Sequence, residues 1–334
     1  MEADSANNTA TATGFQHQFE RHWPTLTQAH VRNLAWLLDA PDLLQRDHPR
    51  WQGRLAHPTV VDAATADWLI KLNQDPHALI TFLALHPHTR LGHYAENLLA
   101  FYFSWRGELA AHSLQVRSHT TIGEFDFLLN TPVGLQHWEF ACKFYLLSTP
   151  SVGTSPDEIR PFSDYVGPNL ADNLGDKIHK IMDVQLALGK HPAAQSYLTA
   201  PLVAAKAWLK GWLFYPAEDT LPLDGIAPEH CRGVWCHIAA LSSTISKSAH
   251  AGTKSELKPA STYFHILPRL NWLAPAKIPR SEGCHLYELQ QQLQRTFQTD
   301  SRPVLIAQCT EANGVLTEYQ RLFIVPDGWG ALPE

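Results

Sequence analysis

From Thr121 to Leu147 the chain reads TIGEFDFLLNTPVGLQHWEFACKFYLL, with apolar and polar positions alternating through most of it. Alternation with period two is a strand signal. Asn130–Gly134 (NTPVG) supplies turn residues between the two runs. The pattern predicts strands over Thr121–Leu129 and Leu135–Leu147, preceded by another over Leu109–Arg117. With Thr131–Gly134 as the loop, Asn130 pairs with Leu135, and counting outward sets Asp126 opposite Glu139. One face of the pair then carries Glu124, Asp126, His137, Glu139, Ala141 and Lys143. The other carries Phe125, Phe127, Trp138, Phe140 and Phe144. Ionisable groups are rarely buried unless paired or bound to a metal, so the polar face is the place to look for chemistry.

Helical spacing dominates the first quarter of the chain. Apolar residues recur at that spacing in VRNLAWLLDAPDLL and ATADWLIKLN, with Pro41, Pro58 and Pro76 dividing the stretches. Leu91–Trp105 predicts a helix apolar around most of its circumference, the signature of a buried helix. Glu96 shares a stripe of it with Leu99, Ala100 and Phe103. After the strands, residues 148–168 are rich in Ser, Pro and Gly; a loop of that length leaving the Lys143 strand is expected to act as a lid. Asn169–Leu188 predicts one helix, with Asn169 as N-cap and Gly189 as its stop, and with Lys177, Ile181 and Gln185 on roughly one side. Further strands are expected in 204–216, 233–241, 262–275, 302–310 and 318–326, a helix in 285–297, and an exposed polar loop in 246–258.

Composition narrows the class. The chain has 334 residues, 45% hydrophobic and 17% charged, enough for a sizeable core. A net charge of −6 argues against a strongly basic nucleic-acid coat but leaves room for a local basic groove. No apolar run reaches the roughly 18 residues a membrane span needs. Residues 1–14 are polar, without the basic and apolar regions of a signal peptide, so a disordered tail and a cytoplasmic protein are expected. Five cysteines, an odd number, suit reduced thiols there. Cys231 and Cys236 (CRGVWC) have no second pair at zinc-finger spacing, and Cys142 is expected as a packed thiol. The 19 His residues are scattered without ligand spacing, and neither GxGxxG nor GxxxxGK[ST] occurs.

The polar face has the makings of a phosphodiesterase site. Mg²⁺ takes oxygen ligands and often uses one or two carboxylates plus substrate phosphate. Asp126 and Glu139 supply two, and a lysine beside them orients or deprotonates a water or holds a phosphate oxygen.

The order of elements, with an acid on the first helix, Asp on the second strand and an acid and lysine on the third, resembles the PD-(D/E)XK, or restriction-endonuclease-like, nuclease superfamily. The segments LGHYAENLLAFYF, GEFDFLL, HWEFACKFYL, GPNLADNLGDKIHKIMDVQLAL and LPRLNWLAPA also resemble a bacterial family built on a domain of unknown function placed within it. The resemblance implies an α/β fold: a helical extension over 15–90, a nuclease-like core over 91–189 and a β-rich elaboration over 190–334. It implies a nuclease using Mg²⁺ or Mn²⁺ on DNA or RNA. Glu96, Asp126 and Glu139 would be metal ligands and Lys143 the catalytic lysine. Gln185 and Lys177 would be accessory contacts, with Glu124 at the fringe. Arg269 and Trp272, in a family-like segment, are weaker candidates for nucleic-acid contact, while most other lysines and tryptophans of the β-rich part read as solvated and core.

One departure stands out. The usual spacing is acid–x–Lys, but Ala141 stands two before Lys143 and Glu139 stands four before it. Those extra two residues are roughly 6.5–7 Å of strand. The competing reading is therefore a catalytically inactive binding or scaffold protein on the same fold.

Overall fold

The helical spacing of the first quarter folds as short helices: α1 (Phe15–His22), α2 (Ala29–Asp39), α3 (Ala63–Gln74) and α4 (His77–Leu85). The computed structural model describes residues 14–148, 161–216, 224–251 and 262–330. The expected tail, apart from Gly14, and most of the expected lid lie outside the described residues. Helix α5 (Leu91–Trp105) has the predicted bounds and buries Leu98, Leu99 and Phe103.

Three strands follow as a meander, β1 (Leu109–Arg117), β2 (Thr121–Thr131) and β3 (Gly134–Leu147). Asn130 pairs with Leu135 as counted. After β3 come β4 (Tyr165–Val166), α6 (Leu174–His179) and β5 (Leu202–Tyr215). The rest of the chain gives β6 (Cys231–His237), α7 (Leu241–Ala251), β7 (Thr262–Ile266), β8 (Lys277–Pro279), α8 (Leu286–Thr299), β9 (Val304–Ala312) and β10 (Val315–Val325). The protein is a mixed α/β fold on a ten-stranded sheet, whose main path runs β1-β2-β3-β5-β6-β10-β9-β7. Strands β3, β5, β6 and β10 are mutually parallel, and the flanking pairs are antiparallel. Among the described residues no helix is long and apolar enough to cross a membrane.

Central position explains the composition of β3 and β5. Both are buried on both faces over most of their length and read as near-continuous apolar runs. On one face, Phe140, Trp208, Trp212 and Phe323 join the N-terminal helices in the largest core cluster. On the other, Tyr145, Leu209 and Leu213 pack with α6, while α7 and α8 cover Leu322 and Ile324. Strand β5 outruns β6, which pairs only from Trp212 onward. The N-terminal segment completes that open edge: Leu43 N–H donates to Leu209 O at 2.9 Å, and Ala56 N–H to Ala207 O at 2.8 Å.

Four local expectations change. The single helix over 169–188 is broken: Asn173, not Asn169, is the N-cap, accepting the Asp176 N–H at 2.8 Å. Six α-helical residues are followed by a π-helical turn at Lys180–Val184 and a 3-10 segment at Gln185–Lys190. The expected polar loop 246–258 is helical as far as Ala251, in α7, and its remainder lies outside the described residues. The expected strand 262–275 ends at Ile266, because Pro268 lacks an N–H to continue it and caps a 3-10 turn over Arg269–Asn271. The strand expected to reach Leu241 stops at His237, where a 3-10 turn leads into α7.

Gly211 faces Lys143 across the parallel β3–β5 pair, and a Cβ on it would lie 1.9 Å from the Lys143 carbonyl oxygen. Gly211→Ala is therefore expected to cost about 3 kcal/mol or more by chemical denaturation. Gly107→Ala, at a positive-φ turn with nothing within 4 Å, is the control and should cost about 1–2 kcal/mol.

Candidate functional site

The site begins with a break in β2. Phe125 and Phe127 were expected on one face, but they pack on opposite faces. Phe125 lies edge-on against His137 at 4.6 Å, and Phe127 against Phe103 of α5 at 5.4 Å. Asp126 is the residue where the strand turns over. Pairing with β1 skips from Phe125↔Leu114 to Phe127↔His112, and the unpaired Ser113 adopts φ 49°. Pairing with β3 ends at Phe127↔Trp138. Beyond it the Phe140 N–H donates to Asp126 Oδ2 at 2.9 Å, so a side chain replaces the strand partner. The carboxyl groups of Asp126 and Glu139 come within hydrogen-bonding reach of each other at this fork, as the counted register requires.

Glu139 is fully buried and held from two sides. Its Oε1 lies 2.6 Å from His137 Nε2, and its Oε2 accepts from Gln185 Nε2 at 2.5 Å. Burial pushes His137 down to about 4, so it is a neutral imidazole, with Nε2 as the donor and Nδ1 without a partner. Glu96 reaches the same region from α5, with Oε2 3.1 Å from His93 Nδ1. Burial, then the Asp126 charge, push Glu96 up to about 7. Burial, then Glu139, push Asp126 well above the ordinary range, and burial raises Glu139 as well. Glu124 sits at the margin, accepting from Gln115 Nε2 at 3.3 Å.

The lysines divide between two places. Lys177 Nζ stands 3.5 Å from Gln185 Oε1, and the charges of Asp126 and Glu139 act on it. Burial, then Lys143, hold it below the usual lysine range. Lys143 instead binds Asp172 Oδ2 at 2.6 Å. The π turn explains how Lys177 and Gln185 meet. Eight residues of α-helix leave two side chains about 80° out of line. The wider π turn at Lys180–Val184 takes up that offset.

The donor set suits a hard cation, being carboxyl oxygens without an arginine or lysine in direct contact. Among the described residues no three His, Cys, Asp or Glu side chains stand as a ready cage. Both Glu139 oxygens already face protein donors, which leaves Glu96 and Asp126 as the pair with capacity for a cation. Two carboxylates plus substrate oxygen is a usual Mg²⁺ arrangement.

Residues 269–272 lie apart from this cluster. Trp272 is buried against Phe144 at 5.4 Å and Phe323 at 5.1 Å, and its indole N–H donates to Leu267 O at 3.0 Å. It is a core residue with no face open for base stacking; Arg269 is exposed above it, 5.5 Å from the ring. Trp208 and Trp212 are likewise core, and Lys210 is buried on Asp42 at 3.0 Å. All five cysteines are free thiols, Cys142 among the buried ones. Sequence reasoning missed Asp172: it lies in a polar turn with no periodicity, and only the fold brings it to Lys143.

No curated protein and no solved structure matches the chain. A family model described as Domain of unknown function (DUF1853) matches residues 32–325, which takes in most of α2, every element from α3 to β10 and all the residues of the site. With so much of its length matched, the chain belongs to that family.

Proposed function

We propose that this protein is a metal-dependent nuclease that hydrolyses a phosphodiester of DNA or RNA, using Mg²⁺ or Mn²⁺. The observation that carries the reading is the fork between β2 and β3. There Glu96, Asp126 and Glu139 are brought into one buried electrostatic cluster with Lys177 beside it. The order α5, β1–β2–β3, α6, then β5 parallel to β3 supports a restriction-endonuclease-like core. Raised carboxyl pKa values in one place are a mark of functional sites.

In this reading Glu96 and Asp126 hold the cation, and His137 and Gln185 fix Glu139 as the third carboxyl. A bound divalent cation would polarise the phosphoryl group and lower the pKa of a water. Lys177, held below the ordinary lysine range, is placed to orient that water or take its proton. The second reading is a nucleic-acid-binding or scaffold protein that has lost catalysis. The Lys143–Asp172 pair favours it, since that lysine is engaged away from the acids.

Purified wild type is expected to cleave plasmid DNA or RNA only with added Mg²⁺ or Mn²⁺. Asp126→Ala should lose about 10³-fold or more, and Lys177→Met about 10²–10³-fold. Equal cleavage by all three proteins means a contaminant, and oligonucleotide binding without cleavage by wild type selects the second reading.

Stability should move the other way. A carboxyl whose pKa is raised by folding opposes folding once the pH exceeds its unfolded value, near 4. The metal-free protein should therefore lose stability as pH rises from about 4 to about 7 and above, following Glu96 and its partners. Asp126→Asn should recover on the order of 1–3 kcal/mol at pH 8 by denaturant titration. Mn²⁺ should raise the melting temperature of wild type and not of Asp126→Asn.

A further inference from the structure

Asp172 occupies a place made for an anion. Its Oδ2 accepts from Lys143 Nζ at 2.6 Å and from the Tyr145 hydroxyl at 3.2 Å. Tyr145 is fully buried within β3 and delivers only its hydroxyl to this contact. Burial, then the Asp172 charge, push that phenol up, so it stays a donor. The charges of Lys143 and Lys180 both act on Lys177. Two donors from β3, an ammonium group and a phenol, thus converge on one carboxylate oxygen.

The carboxylate that fills this place is weakly held. The side chains of Lys143 and Asp172 are 32% and 43% exposed, and an ion pair so open to water contributes little to stability. Asp172 rides on the short turn between β4 and α6, closed by Gly167 N–H donating to Asp172 O at 2.8 Å. Leu170 at its tip is exposed and left-handed at φ 56°, a conformation costly for a side chain of its kind. A backbone phosphate offers the same two donors two anionic oxygens, as the carboxylate does.

We infer that Lys143 and the Tyr145 hydroxyl form a phosphate subsite on the same strand as Glu139, and that Asp172 is an internal anion displaced by a backbone phosphate of a polynucleotide. The polynucleotide identity rests on the nuclease reading; the anion site rests on the geometry alone. Lys143 then grips a phosphate flanking the scissile one, while Lys177 serves the acids.

Fluorescence anisotropy with short labelled single-stranded DNA and RNA, in EDTA so that nothing is cut, tests this. Asp172→Asn is expected to tighten binding of both roughly five- to tenfold and to steepen the salt dependence by about one phosphate contact. Lys143→Met in the Asp172→Asn background should abolish the gain, and Tyr145→Phe should reduce it. Unchanged or weaker binding by Asp172→Asn, or a gain that survives Lys143→Met, overturns the subsite. Because the readout needs no metal and no cleavage, that result leaves the nuclease reading standing. Loss of metal-dependent cleavage as a property of wild type would in turn leave an anion site that binds without cutting.

Discussion

The Phe140 N–H donates to the Asp126 carboxylate, 2.9 Å away. In an uninterrupted antiparallel ladder a β2 carbonyl would take a hydrogen bond at this level. A buried N–H must find some acceptor, and a side chain that supplies one frees the two strands to part. Much of the site depends on that substitution. Because β2 and β3 diverge there, α5 reaches the gap from one face with Glu96, and the segment after α6 reaches it from the other with Gln185. β3, no longer bound to β2, continues deep into the sheet along β5, where Gly211 lets the backbones meet.

What fills the fork is costly. Three carboxyls are pushed up by burial, and the donors around them satisfy Glu139 far better than the others. A sequence selected for stability alone would place apolar groups here, since a buried charge with incomplete partners opposes folding. A buried ion pair elsewhere in the described residues is better partnered. Arg321 and Glu318, both fully buried, bond each other at 2.8 Å, and Arg321 also donates to Ala274 O at 2.8 Å while Glu318 accepts the Ala276 N–H at 2.8 Å. That pair clamps a loop and leaves little unsatisfied. The contrast separates structural charge from charge kept for another purpose.

Much of this was legible in the sequence, and the failures share a cause. Helix α5, the meander, the Asn130–Leu135 register and the meeting of Asp126 with Glu139 follow from local periodicity and turn chemistry. Periodicity assumes an unbroken element, however. It set Phe125 beside Phe127, although the strand turns over between them, and it drew one helix over 169–188 where a π turn intervenes. Both irregularities lie where side chains must converge on the fork, and neither leaves a mark in composition. Trp272 shows the opposite limit: an indole and a neighbouring arginine resemble a stacking platform in sequence, but burial is decided by Phe144 and Phe323 from distant strands.

The same geometry accounts for the displaced lysine. Ala141 stands where the acid nearest Lys143 would be expected, and it packs in the cluster formed with Leu174, Ile178 and Ile181 of the α6 region. An acid there would sit in that apolar layer, not at the fork. The polar end of β3 is its beginning, at His137 and Glu139, next to the point where β2 leaves. Lys143 is four residues further on, roughly 13 Å along a strand, beyond easy reach of Glu139. A lysine able to serve the acids has to come from outside β3, and the π turn after α6 delivers Lys177 and Gln185 together. Lys143, freed from the acids, keeps company with Tyr145 and Asp172, so one strand presents a carboxyl end and a cationic end.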